Sequence, residues 1–366
     1  MGFSKLTAGV IGVCIGVSAM LSATANAVQF DYLASGFTQQ IFTGPLVGGP
    51  GMAWTSSGNL LTRNGSDIIE YSPTQNTTYQ GTNLHGSTVT HTISGLSTSG
   101  YGLAKGQDGY YYTPTSAGLE RFSATFTGSA QLVTGTAGGQ GYGITTLPDG
   151  RIAYVAGGGT NDVHIYNPSS SIDSLIYSAP SLIDDIEASA TGAIALALQP
   201  INQINIISNT GGLINALLSL SHHPDGLAFG DGVTANWLYS NNNDGSITQY
   251  QLGPGYSGTP VITDIALQTL PSGKAYGDLA AVGPDCAFYV SQFDNNGLNG
   301  STPGTGTHWD NGITTSEASI VRIAAIDRNG NEFCGFGSAT EAVPEPSTIV
   351  LLGGGLAGLA YWRRRK

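Results

Sequence analysis

Six stretches of this chain can be laid over one another, and that repetition constrains the fold more than any other feature. They are "GMAWTSSGNLLTRNGSDIIEYSP", "YGLAKGQDGYYYTPTSAGLERFS", "YGITTLPDGRIAYVAGGGTNDVHIYNP", "DIEASATGAIALALQPINQINIIS", "DGLAFGDGVTANWLYSNNNDGSITQYQ" and "YGDLAAVGPDCAFYVSQ" continuing to "ASIVRIAAI". Their anchors are Gly51, Gly102, Gly143, Asp185, Gly226 and Gly277, at intervals of 51, 41, 42, 41 and 51 residues. A short strand of small residues follows each anchor. A turn glycine stands seven positions on at Gly58, Gly109, Gly150 and Gly192. A β-rich run, a polar turn and a third strand such as "VHIYNP" complete the unit. Between units lies a fourth strand, such as "SLIYSAP" or "VITDIAL".

Four short strands per unit of 40 to 50 residues are the pattern of a β-propeller blade. Six anchors predict six four-stranded blades and an all-β fold; a β-sandwich or right-handed β-helix is the competing architecture. The segment "FDYLASGFTQQIFTG" precedes the first anchor and is placed to supply the outer strand of the last blade. Closing the ring in this way removes exposed sheet edges, which invite aggregation. Composition agrees. The 54 glycines are about twice the average share, and 17 Tyr and 11 Phe supply apolar surface that a disordered chain lacks. The glycine-after-seven spacing and the "PDG" turn resemble NHL-type and gluconolactonase-like six-bladed propellers.

The two ends read as targeting segments. Lys5, the apolar run "LTAGVIGVCIGVSAML" and the small-x-small site Ala25-Asn26-Ala27 before Val28 predict a secretory signal over residues 1–27, removed by signal peptidase. Cys14 leaves with it. Cys286 and Cys334 remain, an even pair in a chain bound for an oxidising compartment, and a disulfide between them is expected.

The chain closes with "AVPEPSTIVLLGGGLAGLAYWRRRK". An apolar stretch from Thr348 to Trp362 ends in an aromatic pair and four cations, the arrangement of a membrane segment with its positive end inside. Pro344-Glu345-Pro346, the Gly-rich apolar run and Arg363, Arg364 and Arg365 together resemble the PEP-CTERM sorting signal of Gram-negative bacteria. That resemblance implies a transmembrane sorting helix within residues 344–366. It also implies transient anchoring in the inner membrane, cleavage by an exosortase membrane protease, and transfer to the cell surface beside exopolysaccharide.

Residues 28–343 then form the propeller domain, with seven basic against 23 acidic residues, a balance of −16. Such a surface repels phosphates, so nucleic acid is not an expected partner, whereas polysaccharide, surface proteins or cations are. One face is expected to collect Asp184, Asp185, Glu187, His222, His223, Asp225, Asn241 to Asp244, Asp278 and Asp294 to Asn296. Carboxylates and amides near one axis suit a hard cation such as Ca2+, with Asp185, Glu187, Asp225, Asn242 and Asp278 as candidate ligands. Asn, Asp and Gly runs are equally the makings of hairpin turns. The gluconolactonase resemblance implies a metal held by Glu, Asn and Asp, roles open to Glu187, Asn242 and Asp225, that activates water. Two functions stand side by side: a surface or matrix propeller that binds a partner, and a metal-dependent hydrolase or lyase at the channel.

The exported protein is expected to begin at Val28 and to lack its tail. Intact-mass measurement of surface-released protein checks this, and a released form that retains Tyr361 to Lys366 would contradict it.

Overall fold

The computed structural model describes residues 30–333 apart from 31, 47–50, 73–74, 80–81, 86–87, 98–99, 136–142, 157–160, 231–233, 268–274, 295–317 and 328. The signal segment, Cys334 and the sorting tail lie outside the described residues. Within them the chain forms six antiparallel sheets arranged as blades, with two short 3-10 turns and no α-helix. No described helix is long and apolar enough to cross a membrane.

Blade 1 comprises Met52–Trp54, Leu60–Asn64, Asp67–Tyr71 and Thr88–Thr92. Blade 2 comprises Ala104–Lys105, Tyr110–Thr115, Gly118–Ser123 and Gln131–Thr134. Blade 3 runs Ile144–Thr146, Ile152–Val155, Asp162–Asn167 and Ile172–Ser178. Blade 4 runs Ile186–Ala188, Ile194–Leu198, Gln203–Ile207 and Leu213–Leu217. Blade 5 contains Pro224–Phe229, Trp237–Asn242, Ile247–Gln251 and Val261–Leu267. Blade 6 contains Ala275–Val282, Phe288–Asp294 and Ala318–Ile326. The top face is taken as the one where each inner strand begins, the bottom face as the one where it ends.

The fourth strand of blade 6 comes from the other end of the chain, as the sequence predicts. Phe37–Leu46 pairs antiparallel with Ala318–Ile326, Phe37 opposite Ala325 and Gln39 opposite Ile323. The preceding Tyr32–Leu33 adds a fifth strand to blade 5 against Ala266 and Leu267. Gln39 fixes the segment between them: its Oε1 accepts from Phe30 N at 2.9 Å and its Nε2 donates to Phe30 O at 2.7 Å. A hairpin absent from the sequence reading, Gln75–Tyr79 with Thr82–His85, lies between the third and fourth strands of blade 1. It accounts for the longer first interval.

The core is a ring of inter-blade clusters. Blade 4 shows how a two-residue period builds it. Ile194, Leu196 and Leu198 pack with Val163 and Ile165 of blade 3, while Ala195 and Ala197 pack with Leu227, Leu238 and Tyr250 of blade 5. Because both faces are covered, its second strand is a continuous apolar run rather than an alternating one.

The turn glycines earn their identity through backbone angle. Gly58, Gly109, Gly150 and Gly192 have φ of 84°, 84°, 85° and 86°, a region that costs an L-residue about 1 kcal/mol. Blade 6 breaks the series: "GPDC" stands where blade 3 has "LPDG", and Cys286 adopts φ 59°. Its N donates to Gly283 O at 2.9 Å, as Gly150 N does to Leu147 O at 2.9 Å. Cys286 is disulfide-bonded.

Thiol labelling of the denatured, unreduced protein is therefore expected to find no free thiol, with Cys334 as the partner. Reduction should lower stability by about 2 to 4 kcal/mol. In reductant, Cys286→Gly should be more stable than wild type by about 1 kcal/mol, because only the turn's preference for glycine remains. Urea unfolding of both proteins with and without reductant checks the reversal.

Candidate functional site

The anchors sit where inner strands begin, and there neighbouring backbones come very close. A Cβ on Gly51 would lie 2.2 Å from Tyr101 O, and one on Gly143 would lie 2.7 Å from Ile186 N of the next blade. Blade 4 carries Asp185 at this level. Its carboxylate spans to blade 5, where Oδ2 accepts from Leu227 N at 2.8 Å. Asp185 is thus a buried inter-blade bridge at the position where glycine elsewhere permits direct approach.

The other top-face residues are placed as follows. Asp225 is the bulged residue at the start of the blade 5 inner strand, and its Oδ2 accepts from Gln199 Nε2 at 3.4 Å. Asn241 turns toward blade 6, donating to Ser291 O at 2.9 Å and accepting from Gln292 Nε2 at 2.5 Å. The amide of Asn242 donates to Ser246 Oγ and Thr248 Oγ1, each at 2.9 Å, and its oxygen accepts from Ser240 Oγ at 2.7 Å. Its side chain is committed to its own blade. Asn243 differs: it is 2% exposed, and among the described residues neither its Nδ2 nor its Oδ1 has a partner.

The two histidines stand just before the blade 5 inner strand rather than on it. His222 is held between Asp244 Oδ2 at 2.5 Å and Asp264 Oδ2 at 3.4 Å, and the hydrogen bond to Asp244 chiefly raises its pKa. The backbone carbonyl of His223 accepts from Asn243 N at 2.9 Å. Asp278 and Asp294 fall on described strands, but their side chains, with Asn295 and Asn296 entirely, lie outside the described residues. Among the described residues no three His, Cys, Asp or Glu side chains converge as a shared ion would require.

The central channel is a cavity of about 530 Å³. Met52, Ile144, Ile186 and Leu279 give its walls apolar surface, and Thr55, Ser56, Thr145, Thr146, Lys105 and Glu187 give it polar groups. Burial pushes Glu187 up to about 8, against hydrogen bonds from Thr145 and Ala188 N that lower it. Burial likewise pushes Asp184 up to about 7. Both carboxyls are neutral for much of the range in which free carboxylates are ionised. Toward the bottom face the channel opens into an apolar hollow lined by Trp54, Ala188, Phe229, Val282 and Pro284. Trp54 Nε1 is buried there without a partner among the described residues.

Sequence reasoning identified Glu187 but missed Trp54, Lys105 and Thr145. Their shared signal was positional. Thr145 stands two residues after its anchor, and Trp54 and Lys105 stand three after theirs, where inner strands end at the channel.

A raised carboxyl pKa in the folded state means that folding retains a proton which the unfolded chain releases. Stability from this group therefore falls as pH rises from the ordinary 4.5 toward about 8 and levels off above it. Glu187→Gln, neutral throughout, should match wild type in melting temperature near pH 4 and exceed it at pH 8.5. Paired thermal melts across this range check the sign, and parallel curves would show that Glu187 ionises freely.

Residues 342–366 match the PEP-CTERM protein-sorting motif. No curated protein matches the chain by sequence. Among solved structures, the iodide structure of Trichoderma reesei Carbohydrate-Active Enzymes Family AA12 aligns with TM-score 0.57 and 12% identity over 82% of this chain and 100% of that one. A calcium-binding protein, regucalcin, from Agrobacterium tumefaciens aligns with TM-score 0.54 and 14% identity over 79% and 94%. The PQQ-bound aldose sugar dehydrogenase from Streptomyces coelicolor aligns with TM-score 0.52 and 12% identity over 80% and 100%. Likeness at this identity concerns the fold. The chain is a six-bladed β-propeller that carries a PEP-CTERM protein-sorting motif at its C-terminus.

Proposed function

We propose that this protein is an exported binding propeller, sorted by an exosortase to the cell surface or extracellular matrix of a Gram-negative bacterium. There it receives a polyhydroxylated ligand, such as a segment of exopolysaccharide, in its channel. The observation that carries this reading is the channel lining. Hydroxyls of Thr55, Ser56, Thr145 and Thr146, the carboxyl of Glu187 and the indole of Trp54 stand on partly apolar walls. Few, oriented polar groups on an apolar concavity are the general form of a small-ligand site, and hydroxyls, a carboxyl held neutral, an indole donor and the Lys105 ammonium are together groups that can pair with sugar hydroxyls. The acidic exterior agrees with a partner other than nucleic acid.

A second reading is a metal-dependent, lactonase-like hydrolase or lyase at the top of the channel, with Ca2+ as its ion. Asn243 favours it, because a buried amide with both polar atoms unpartnered among the described residues has the chemistry of a cation ligand. The calcium-binding neighbours of the same fold add support by analogy. The donor set fits in part. Asp185 and Asp225 supply carboxylate oxygens near the top of the channel, each also engaged in the inter-blade hydrogen bonds described, whereas Asn242 is committed elsewhere.

Calorimetric titration of residues 28–343 with neutral exopolysaccharide fragments separates the readings. Binding is expected, with Trp54→Ala weakening it by about tenfold or more. Affinity should decline above about pH 8, as Glu187 ionises. A rise in melting temperature with calcium, lost in the Asp185→Asn/Asp225→Asn variant, together with no saccharide binding, would favour the hydrolase instead.

A further inference from the structure

The path of the chain through blade 6 determines where the sorting tail leaves the propeller. Strand Ala318–Ile326 runs from the top face to the bottom face and turns at Asp327, whose Oδ1 accepts from Asn329 N and Asn331 N, each at 2.8 Å. The chain then returns as Glu332–Phe333. Ala325 pairs with Phe37 on one edge, so Phe333, its other partner, occupies the opposite edge, along which Phe288 pairs with Ile323. Phe333 therefore stands at the bottom face in line with the second strand of blade 6, beside the turn that carries Cys286.

One described link, through Arg322, holds the exit there, and the expected pairing of Cys286 with Cys334 adds a second. Cys286 in that turn is disulfide-bonded. Arg322 donates to Glu332 at 2.9 and 2.7 Å and to Asp285 Oδ2, in the same turn, at 2.8 Å. The returning segment is thus clamped to the bottom turn by charge-assisted hydrogen bonds.

Residues 334–341 alone separate Phe333 from the sorting motif that begins at 342. Fully extended, those eight residues reach about 27 Å. The seven-residue strand Phe288–Asp294 spans the height of the blade, about 23 Å before its turns are added. A tail that leaves at the bottom would use its whole reach merely to climb to the top rim.

We propose that the sorting tail holds the propeller with its bottom face toward the bilayer, so that the top mouth, with Asp185, Asp225 and Asn243, opens away from the membrane. This rests on the reading of the tail as a membrane-held sorting segment. The bottom face is then the surface shown to the processing protease, and the top mouth is free to meet ligand before the tail is cut.

The test uses the full chain in phosphatidylethanolamine–phosphatidylglycerol vesicles that carry a headgroup spin label. A fluorescent amino acid is placed at Ala190 or at Ile201, the bottom and top turns of the same blade 4, so that distance from the tether does not separate them. Quenching at Ala190 should be several-fold greater than at Ile201. Insertion of an about 20-residue Gly/Ser linker after residue 341 should abolish the difference without touching the fold. Equal or reversed quenching in a chain that floats with the vesicles would overturn the orientation alone. A contrast that survives the linker would overturn the short tether as its cause. A chain that does not float with the vesicles would overturn the reading of the tail, and the orientation with it.

Discussion

The pairing of Phe37–Leu46 with Ala318–Ile326 is the contact on which the rest of the ring depends. Each blade buries its two faces against its neighbours, as the clusters that hold Ile194 and Leu227 show, so an incomplete blade 6 would leave the faces of its neighbours uncovered. Strands almost 300 residues apart in sequence must meet before blade 6 is complete, and loop closure over that distance carries an entropic cost that only native pairing offsets. The N-terminal segment spreads this role over two blades. Tyr32–Leu33 extends blade 5 before Phe37–Leu46 completes blade 6, and the Gln39 clasp on Phe30 holds them in one register.

Closure also explains what happens at the anchors. Inner strands in a six-membered ring crowd together at the top, and glycine is the simplest residue that lets their backbones approach. Asp185 solves the same crowding differently, by directing a carboxylate at the amide of Leu227 that lies next to it. A departure from a repeat can therefore be an alternative structural solution as much as a functional mark. At Asp185 the structural meaning is the one on view, since its carboxylate joins blade 4 to blade 5.

Blade number, strand order and the closing segment were legible in the sequence, because they rest on period-two apolar patterning and on turn glycines with positive φ. "VITDIAL" is a fourth strand as expected, over Val261–Leu267. The inserted hairpin Gln75–Tyr79 with Thr82–His85 was not legible. Its sequences, QNTTY and TNLH, are mostly polar and carry no apolar alternation for a hydrophobic pattern to reveal. The site was legible as a region rather than as a set of partners. Sequence placed Asp225 and Asn241 to Asp244 on one face, but could not tell that Asn242 is consumed within its blade while Asn243, one residue on, has neither polar atom paired among the described residues. That distinction depends on the direction in which each side chain leaves its strand. It is set by the register of Trp237–Asn242 against its neighbours rather than by residue type.

Acidity illustrates the same limit. The propeller domain's balance of −16 invites a cation at the axis, yet many of its carboxylates serve the architecture. Asp108, Asp149 and Asp285 each accept a backbone N–H two residues on, at the turn that follows an inner strand. Asp108 and Asp285 also receive the hydroxyls of Tyr112 and Tyr289. These are the local hydrogen bonds that make Asp a turn residue. Of the carboxyls that border the channel, Asp185 bridges to Leu227 N and Glu187 is favoured in its neutral form by burial. Negative charge is thus concentrated on turns and outer surfaces, where water solvates it. The axis is left with hydrogen-bonding capacity, the Asp185 bridge and the Lys105 ammonium, rather than the crowd of carboxylates that composition seemed to assign to it.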